Sequence, residues 1–144
     1  MAHTISTSIH IAASPALVWR TLTNFTDYGW NPFISMVAGD LAVGERLRVA
    51  MSVDGKRTAT FKPVILRVEP ERELVWRGSL PIPGLFVGEH RFRLQASGAG
   101  TTFNQSETFT GLLIPLLGGT LRQTEQAFSR MNEALERRCE ELGA

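Results

Sequence analysis

Two ionisable side chains in the last third of the chain, His90 and Glu107, have the types and spacing that could carry chemistry. Each lies in a segment where apolar and polar residues alternate, 86–96 and 101–110, and the short sequence Ser-Gly-Ala-Gly separates the two segments. Alternation with a period of two is typical of strands, so these segments predict a hairpin. If the residues on either side of the turn pair with each other, His90 lies opposite Glu107 on the face that carries the phenylalanines.

Three roles are open for this pair. A buried carboxylate is costly without a partner, and an imidazole across the hairpin supplies one. His90 and Glu107 could therefore be a self-satisfied structural pair, an anchor for the polar end of a ligand, or a general acid and base. The same register places Gln105 opposite Phe92. A register shifted by one pair would instead place Glu107 diagonal to His90.

A second unusual cluster consists of four aromatic residues within nine positions, 25–33. It is either a lid or mouth for an apolar ligand, with Tyr28 and Trp30 in contact with that ligand, or the packing of short helices against the edge of a sheet. Trp76 is a further candidate ligand-binding residue, because an inward tryptophan on a central strand can pack in the core and also contact a ligand.

The end of the chain predicts a long helix that organises the rest. Between Thr120 and Leu142, apolar or small residues recur in steps of three and four, opposite a charged face. The preceding segment, 111–119, is apolar but contains proline and glycines, so an irregular start of the helix is expected.

Alternating patterns predict seven strands upstream of this helix, at 3–11, 33–37, 45–53, 57–69, 73–79, 86–96 and 101–110. Ser14 and Pro15 predict the start of a short helix, and a second short helix or a structured loop follows at 23–32. Asp54 and Gly55 predict a tight hairpin turn, and Pro63 predicts a bulge or an edge.

These elements predict an α+β fold in which a curved seven-stranded antiparallel sheet lies around the long C-terminal helix, with two short helices after the first strand. A twisted sheet that curls around a helix leaves space between them, particularly where the helix starts irregularly. Because that space is lined by apolar groups, we expect a pocket there.

The composition excludes several classes of protein. A length of 144 residues with 43% hydrophobic residues fits one domain over 1–144. The net charge of +1 and the scattered basic residues argue against a nucleic-acid partner. No apolar run is long enough for membrane insertion and no signal-peptide pattern is present, which predicts a cytoplasmic protein. A monomer and a dimer are both compatible with the sequence.

Motifs for cofactors and metals are missing as well. One cysteine and three histidines without ligand spacing predict no metal site. No dinucleotide or phosphate-binding motif occurs, so no cofactor is expected.

Six short segments, in this order and spacing, resemble one known group of proteins: IHIAASPALVW at 9–19, FTDYGWNP at 25–32, LVWRG at 74–78, GEHRF at 88–92, ETFTG at 107–111 and MNEAL at 131–135. The group is the START-like, or SRPBCC, superfamily, and within it the bacterial polyketide cyclase/dehydrase and lipid-transport-like proteins. The resemblance covers nearly the whole chain. It implies the helix-grip fold, in which a curved antiparallel sheet grips the C-terminal helix around a deep hydrophobic cavity. Because this superfamily includes lipid carriers, hormone receptors, cyclases and chaperone activators, it implies no single activity.

The leading hypothesis is a protein that binds or transports a small hydrophobic ligand, such as a lipid, an aromatic compound or a polyketide-like metabolite. The candidate ligand-binding residues are Tyr28, Trp30, Trp76, Phe86, His90, Phe92, Gln105, Glu107, Phe109, Leu113, Leu117, Leu121 and Phe128. One alternative is a polyketide cyclase or dehydratase-type enzyme with His90 and Glu107 as the catalytic residues. Another is a protein-interaction module resembling chaperone activators, which predicts a filled interior and an exposed patch.

Overall fold

The computed structural model describes residues 2–80, 82 and 84–143. In chain order they are β1 (Ala2–Ile11), α1 (Pro15–Thr23), β2 (Ile34–Ala38), β3 (Arg48–Met51), β4 (Ala59–Phe61), β5 (Val64–Glu69), β6 (Glu73–Ser79), β7 (Val87–Ser97), β8 (Gly100–Thr110), a 3-10 turn (Ile114–Leu116) and α2 (Gly118–Gly143). The predicted loop at 80–85 is described only in part, since Pro81 and Pro83 lie outside the described residues.

The strands form two antiparallel sheets rather than the predicted single sheet of seven strands. One has five strands in the order β1-β8-β7-β6-β5, and the other has three in the order β2-β3-β4. The prediction was wrong because the pattern at 57–69 is divided at Lys62 and Pro63 into β4 and β5, which belong to different sheets. Proline has no N–H group for a ladder, and the bulge or edge predicted near Pro63 takes the form of a break between β4 and β5, each of which is an edge strand of its sheet.

The first helix begins as its sequence indicates. The Ser14 hydroxyl accepts a hydrogen bond from the backbone N–H of Leu17, and Pro15 is the first helical residue. No second helix follows in residues 24–33, so the fold with two short helices is wrong. The Asn31 side-chain oxygen accepts from the N–H groups of Phe33 and Ile34 instead, which stabilises a turn that leads directly into β2.

The loop between β3 and β4 is longer than the predicted tight turn. Met51 pairs with Ala59, which leaves seven residues, 52–58, in the connection. The Asp54 carboxylate accepts from the N–H groups of Lys56 and Arg57 and thereby organises this loop.

The predicted register of the last hairpin is confirmed. Ala96 pairs with Thr101, and His90 therefore lies opposite Glu107. The turn itself is shorter than predicted, because Ser97 and Gly100 also pair.

The long helix packs against β1 and α1, and its buried stripe follows the predicted spacing. Leu121, Phe128, Leu135 and Cys139 lie on this stripe and are buried. The stripe ends one turn earlier than predicted, since Leu142 is 51% exposed. The irregular start is confirmed by the 3-10 turn that precedes α2. Neither α1 nor α2 contains an apolar stretch long enough to cross a bilayer.

The chain leaves β8 at Gly111, where the backbone passes close to residues 85 and 86. Its φ is +126°, and a Cβ atom there would overlap the backbone of Leu85 and Phe86. We therefore predict that Gly111→Ala lowers the free energy of unfolding by ~2 kcal/mol or more, measured by urea denaturation. Gly29→Ala is the control because Gly29 faces open space, and its effect should stay within about 0.5 kcal/mol. Equal losses in the two variants would contradict this account.

The single tyrosine of the chain provides a pH prediction. Tyr28 is buried, its hydroxyl donates to the backbone oxygen of Leu22, and burial raises its pKa above the ordinary value of 10.0. The unfolded chain therefore loses this proton at a lower pH than the folded chain. The free energy of unfolding should fall above about pH 10, by up to about 1.4 kcal/mol per pH unit. Phenolate absorbance should appear only as the near-ultraviolet circular dichroism is lost. A phenolate signal with a midpoint near 10.0 in the folded protein would contradict the burial of Tyr28.

Candidate functional site

A cavity of about 300 Å³ lies between the two sheets and the first turns of α2. Its inner end is formed by buried side chains, including Trp76, His90 and Phe109. Its mouth lies between the exposed loop after β3 and the exposed residues Thr120 and Gln123 of α2. The lining residues are Phe33, Met51, Val53, Asp54, Arg57, Ala59, Phe61, Pro63, Trp76, Gly78, Ser79, Leu80, Phe86, Gly88, His90, Glu107, Phe109, Leu117, Thr120, Leu121, Gln123 and Thr124.

Seven of the candidate ligand-binding residues lie in this wall: Trp76, Phe86, His90, Glu107, Phe109, Leu117 and Leu121. The other six, Tyr28, Trp30, Phe92, Gln105, Leu113 and Phe128, are not part of it. Tyr28 packs edge-on against Phe25 and Trp30, so these three aromatics form a packing cluster beside α1. Phe92 and Phe128 lie behind the wall, where both rings contact the imidazole of His90.

The sequence patterns did not reveal much of the outer wall, because they assigned the wrong residues of β4 to the inward face. A two-residue turn after β3 would place Thr58 and Thr60 inward, whereas the longer loop reverses the alternation. Ala59 and Phe61 consequently pair with the inward residues of β3 and line the cavity. The alternation of β3 continues to Val53, so the sequence did indicate that Met51 and Val53 face inward, and both line the cavity.

The polar feature of the inner end is the contact between His90 and Glu107. The imidazole Nδ1 lies 3.3 Å from Oε1 of Glu107, and the two side chains are 1% and 17% exposed. The imidazole is surrounded by aromatic rings, with centroids 4.4 Å away in Phe92, 4.9 Å in Phe128 and 5.7 Å in Trp76. In such apolar surroundings, both nitrogens of the imidazole need hydrogen-bond partners.

The second nitrogen of His90 is paired on the side away from the cavity. Nε2 lies 2.9 Å from Oε1 of Gln105, whose Nε2 lies 2.9 Å from Oδ1 of Asn132. Asn132 in turn donates to the hydroxyl of Thr7 across 2.9 Å. The sequence interpretation assigned no role to Thr7 or Asn132. A polar residue at an inward strand position was the available signal for Thr7.

Gly88 makes room for the carboxylate. It lies on β7 in the cavity wall, and a Cβ atom there would overlap Oε2 of Glu107. A side chain at this position would therefore displace the carboxylate. Among the described residues, Oε2 of Glu107 has no hydrogen-bond partner, and it lies against Gly88 in the cavity wall, where a ligand could reach it.

The mouth carries charges of both signs. The backbone N–H groups of Arg57 and Lys56 donate to the Asp54 carboxylate and lower its pKa. The carboxylate is therefore ionised near neutral pH, next to the Arg57 side chain at the rim. Within residues 2–80, 82 and 84–143, no three His, Cys, Asp or Glu side chains lie close enough together to hold a metal ion.

Known structures share this architecture. The Zhui aromatase/cyclase from Streptomyces sp. R1128 is similar with a TM-score of 0.79 and 15% identity, over 97% of this chain and 94% of that one. A START superfamily protein from Mycobacterium smegmatis is similar with a TM-score of 0.75 and 21% identity, over 97% and 99%. Protein MLL2253 from Mesorhizobium loti is similar with a TM-score of 0.67 and 23% identity, over 94% and 98%. At these identities the similarity establishes the fold alone.

Sequence comparison gives the family. No curated protein matches the chain at a significant level. The family model described as polyketide cyclase / dehydrase and lipid transport matches residues 2–140. Since this match covers almost the whole length, the chain belongs to the polyketide cyclase / dehydrase and lipid transport family.

Proposed function

We propose that this protein binds a small hydrophobic molecule whose apolar body lies in the cavity and whose polar end contacts Glu107. The observation that carries the proposal is the composition of the wall, in which aromatic and aliphatic side chains surround a single polar pair at the inner end. A mostly apolar cavity with a few converging polar groups is the usual form of a small-molecule site.

The size of the cavity limits the ligand. Its volume of about 300 Å³ is at the lower end of the range for small-molecule sites. It is about twice the ~150 Å³ of an engineered cavity that binds benzene. A ligand of about two fused rings, or an aliphatic molecule of similar bulk, therefore fits within it, and a larger lipid would extend through the mouth.

A cavity of this size favours the binding proposal over the protein-interaction hypothesis, because the latter predicts a filled interior. Trp76, Phe86 and Phe109 would gain additional apolar contacts if a ligand occupied the space that they line.

An enzyme that uses the same cavity is the second candidate. It is favoured by the placement of His90 and Glu107, which contact each other at the wall where a bound molecule would lie. The pair could move a proton during cyclisation or dehydration. A carrier returns its ligand unchanged, whereas a dehydratase returns a molecule that has lost one water. In the enzyme, Glu107→Gln should abolish this conversion while the apolar contacts still bind the substrate.

Blocking the mouth tests the proposed binding site. Ala59 lines the cavity, so the indole in Ala59→Trp should fill the outer part of the site and exclude a ligand. We expect the affinity for 2-naphthol, measured by calorimetry, to fall at least about tenfold, or ~1.4 kcal/mol. Thr60→Trp is the matched control because Thr60 is also exposed on β4 but does not line the cavity. Its affinity should stay within about twofold of the unmodified chain. Equal weakening in both variants would place the probe outside the cavity.

A further inference from the structure

We infer that the inner end of the cavity accepts hydrogen bonds and is suited to a hydroxyl or N–H group of the ligand. The inference rests on the proposed function and specifies the ligand class. It follows from the direction of the hydrogen bonds that lead from β1 through α2 to His90.

The direction is set by a backbone carbonyl, which can only accept. The Thr7 hydroxyl lies 3.1 Å from the backbone oxygen of Gln105 and must donate its one proton there. The Thr7 oxygen then accepts from the amide nitrogen of Asn132, 2.9 Å away. The remaining Asn132 amide oxygen accepts from the Gln105 side-chain nitrogen, also 2.9 Å away.

A second carbonyl fixes the Gln105 side chain independently. Its nitrogen also lies 3.5 Å from the backbone oxygen of Phe128, which again can only accept. The Gln105 amide oxygen therefore faces His90, and it accepts a proton from Nε2 of the imidazole across 2.9 Å. Nε2 of His90 thus carries a proton.

The other imidazole nitrogen, Nδ1, lies 3.3 Å from Oε1 of Glu107. Two bare acceptors at this distance would repel each other, so the contact favours a proton between Nδ1 and Oε1. This proton can lie on the imidazole or on the carboxyl group.

The free oxygen of Glu107 accepts in both cases. A proton on Oε1 leaves Oε2 as a carbonyl oxygen, and a proton on Nδ1 leaves it as a carboxylate oxygen. Oε2 lies over Gly88 in the cavity wall. A ligand group that meets it must donate, so a hydroxyl, a phenol or an N–H group fits. A ligand carboxylate would place negative charge against an acceptor and is rejected.

Two probes with the same ring system test whether the inner end of the cavity accepts a hydrogen bond from the ligand. 2-Naphthol donates a hydrogen bond, whereas 2-methoxynaphthalene only accepts. The chain should bind 2-naphthol about tenfold to a hundredfold more tightly, because the ether leaves Oε2 of Glu107 unpaired. Equal affinities would overturn the inference and leave the proposed function intact. Failure of both probes to bind would overturn the proposed function and the inference together.

Glu107→Gln tests the direction of the hydrogen bonds. With Nε2 of His90 protonated, the new amide donates to the bare Nδ1 and turns its oxygen toward the cavity. The preference for 2-naphthol should therefore persist in Glu107→Gln and disappear in Glu107→Leu, which has no acceptor. A reversed preference, for 2-methoxynaphthalene in Glu107→Gln, would overturn the inference.

The positioning role of Gln105 has a spectroscopic test. The ¹⁵N resonances of the His90 imidazole distinguish protonated from bare nitrogens, and Nε2 should be protonated in the unmodified chain. Gln105→Glu retains an acceptor and should keep the proton on Nε2. Gln105→Leu removes the acceptor and should move the proton to Nδ1. A bare Nε2 in the unmodified chain would overturn the inference.

Discussion

The buried imidazole of His90 is the constraint on which the interior of this protein depends. A ring that is 1% exposed and surrounded by aromatic side chains must find partners for both nitrogens within the protein. Oε1 of Glu107 lies 3.3 Å from Nδ1 across the hairpin, and Gln105, on the same strand as Glu107, forms the hydrogen bond with Nε2. Because Gln105 is itself buried, its amide needs Asn132 on α2, and the helix is thereby joined to the sheet by hydrogen bonds as well as by apolar packing.

The cavity lies where the chain passes from one sheet to the other at Pro63. The break there separates β4 from β5, and an isolated pairing of Arg46 with Val64 connects the two sheets. Ala59 and Phe61 then face the inner end of the cavity from the opposite side, while the first turns of α2 complete the wall.

Local patterns in the sequence predicted the parts of the fold that local geometry determines. The stripe of α2 and the register of β7 and β8 follow from residues three, four or two positions apart and from a short turn, so both were predicted. The inward residues of β4 were predicted wrongly because they depend on the length of the preceding loop. Asp54 organises that loop by accepting hydrogen bonds from the backbone. Periodicity indicates which face a residue occupies but not its depth, and for that reason Phe92 and Phe128 were assigned to the site although they lie behind it. The contact of Thr7 with Asn132 joins residues 125 positions apart, which no local pattern reveals.

The most direct test of the central claim is native mass spectrometry of the chain purified from its own host, followed by denaturing extraction of the bound molecule. We expect one small hydrophobic adduct per chain, with a hydroxyl or N–H group. We also expect that the adduct is absent when the mouth is blocked by Ala59→Trp and present in Thr60→Trp. A mass equal to that of the bare chain in every preparation, or an adduct that Ala59→Trp retains in full, would contradict the central claim.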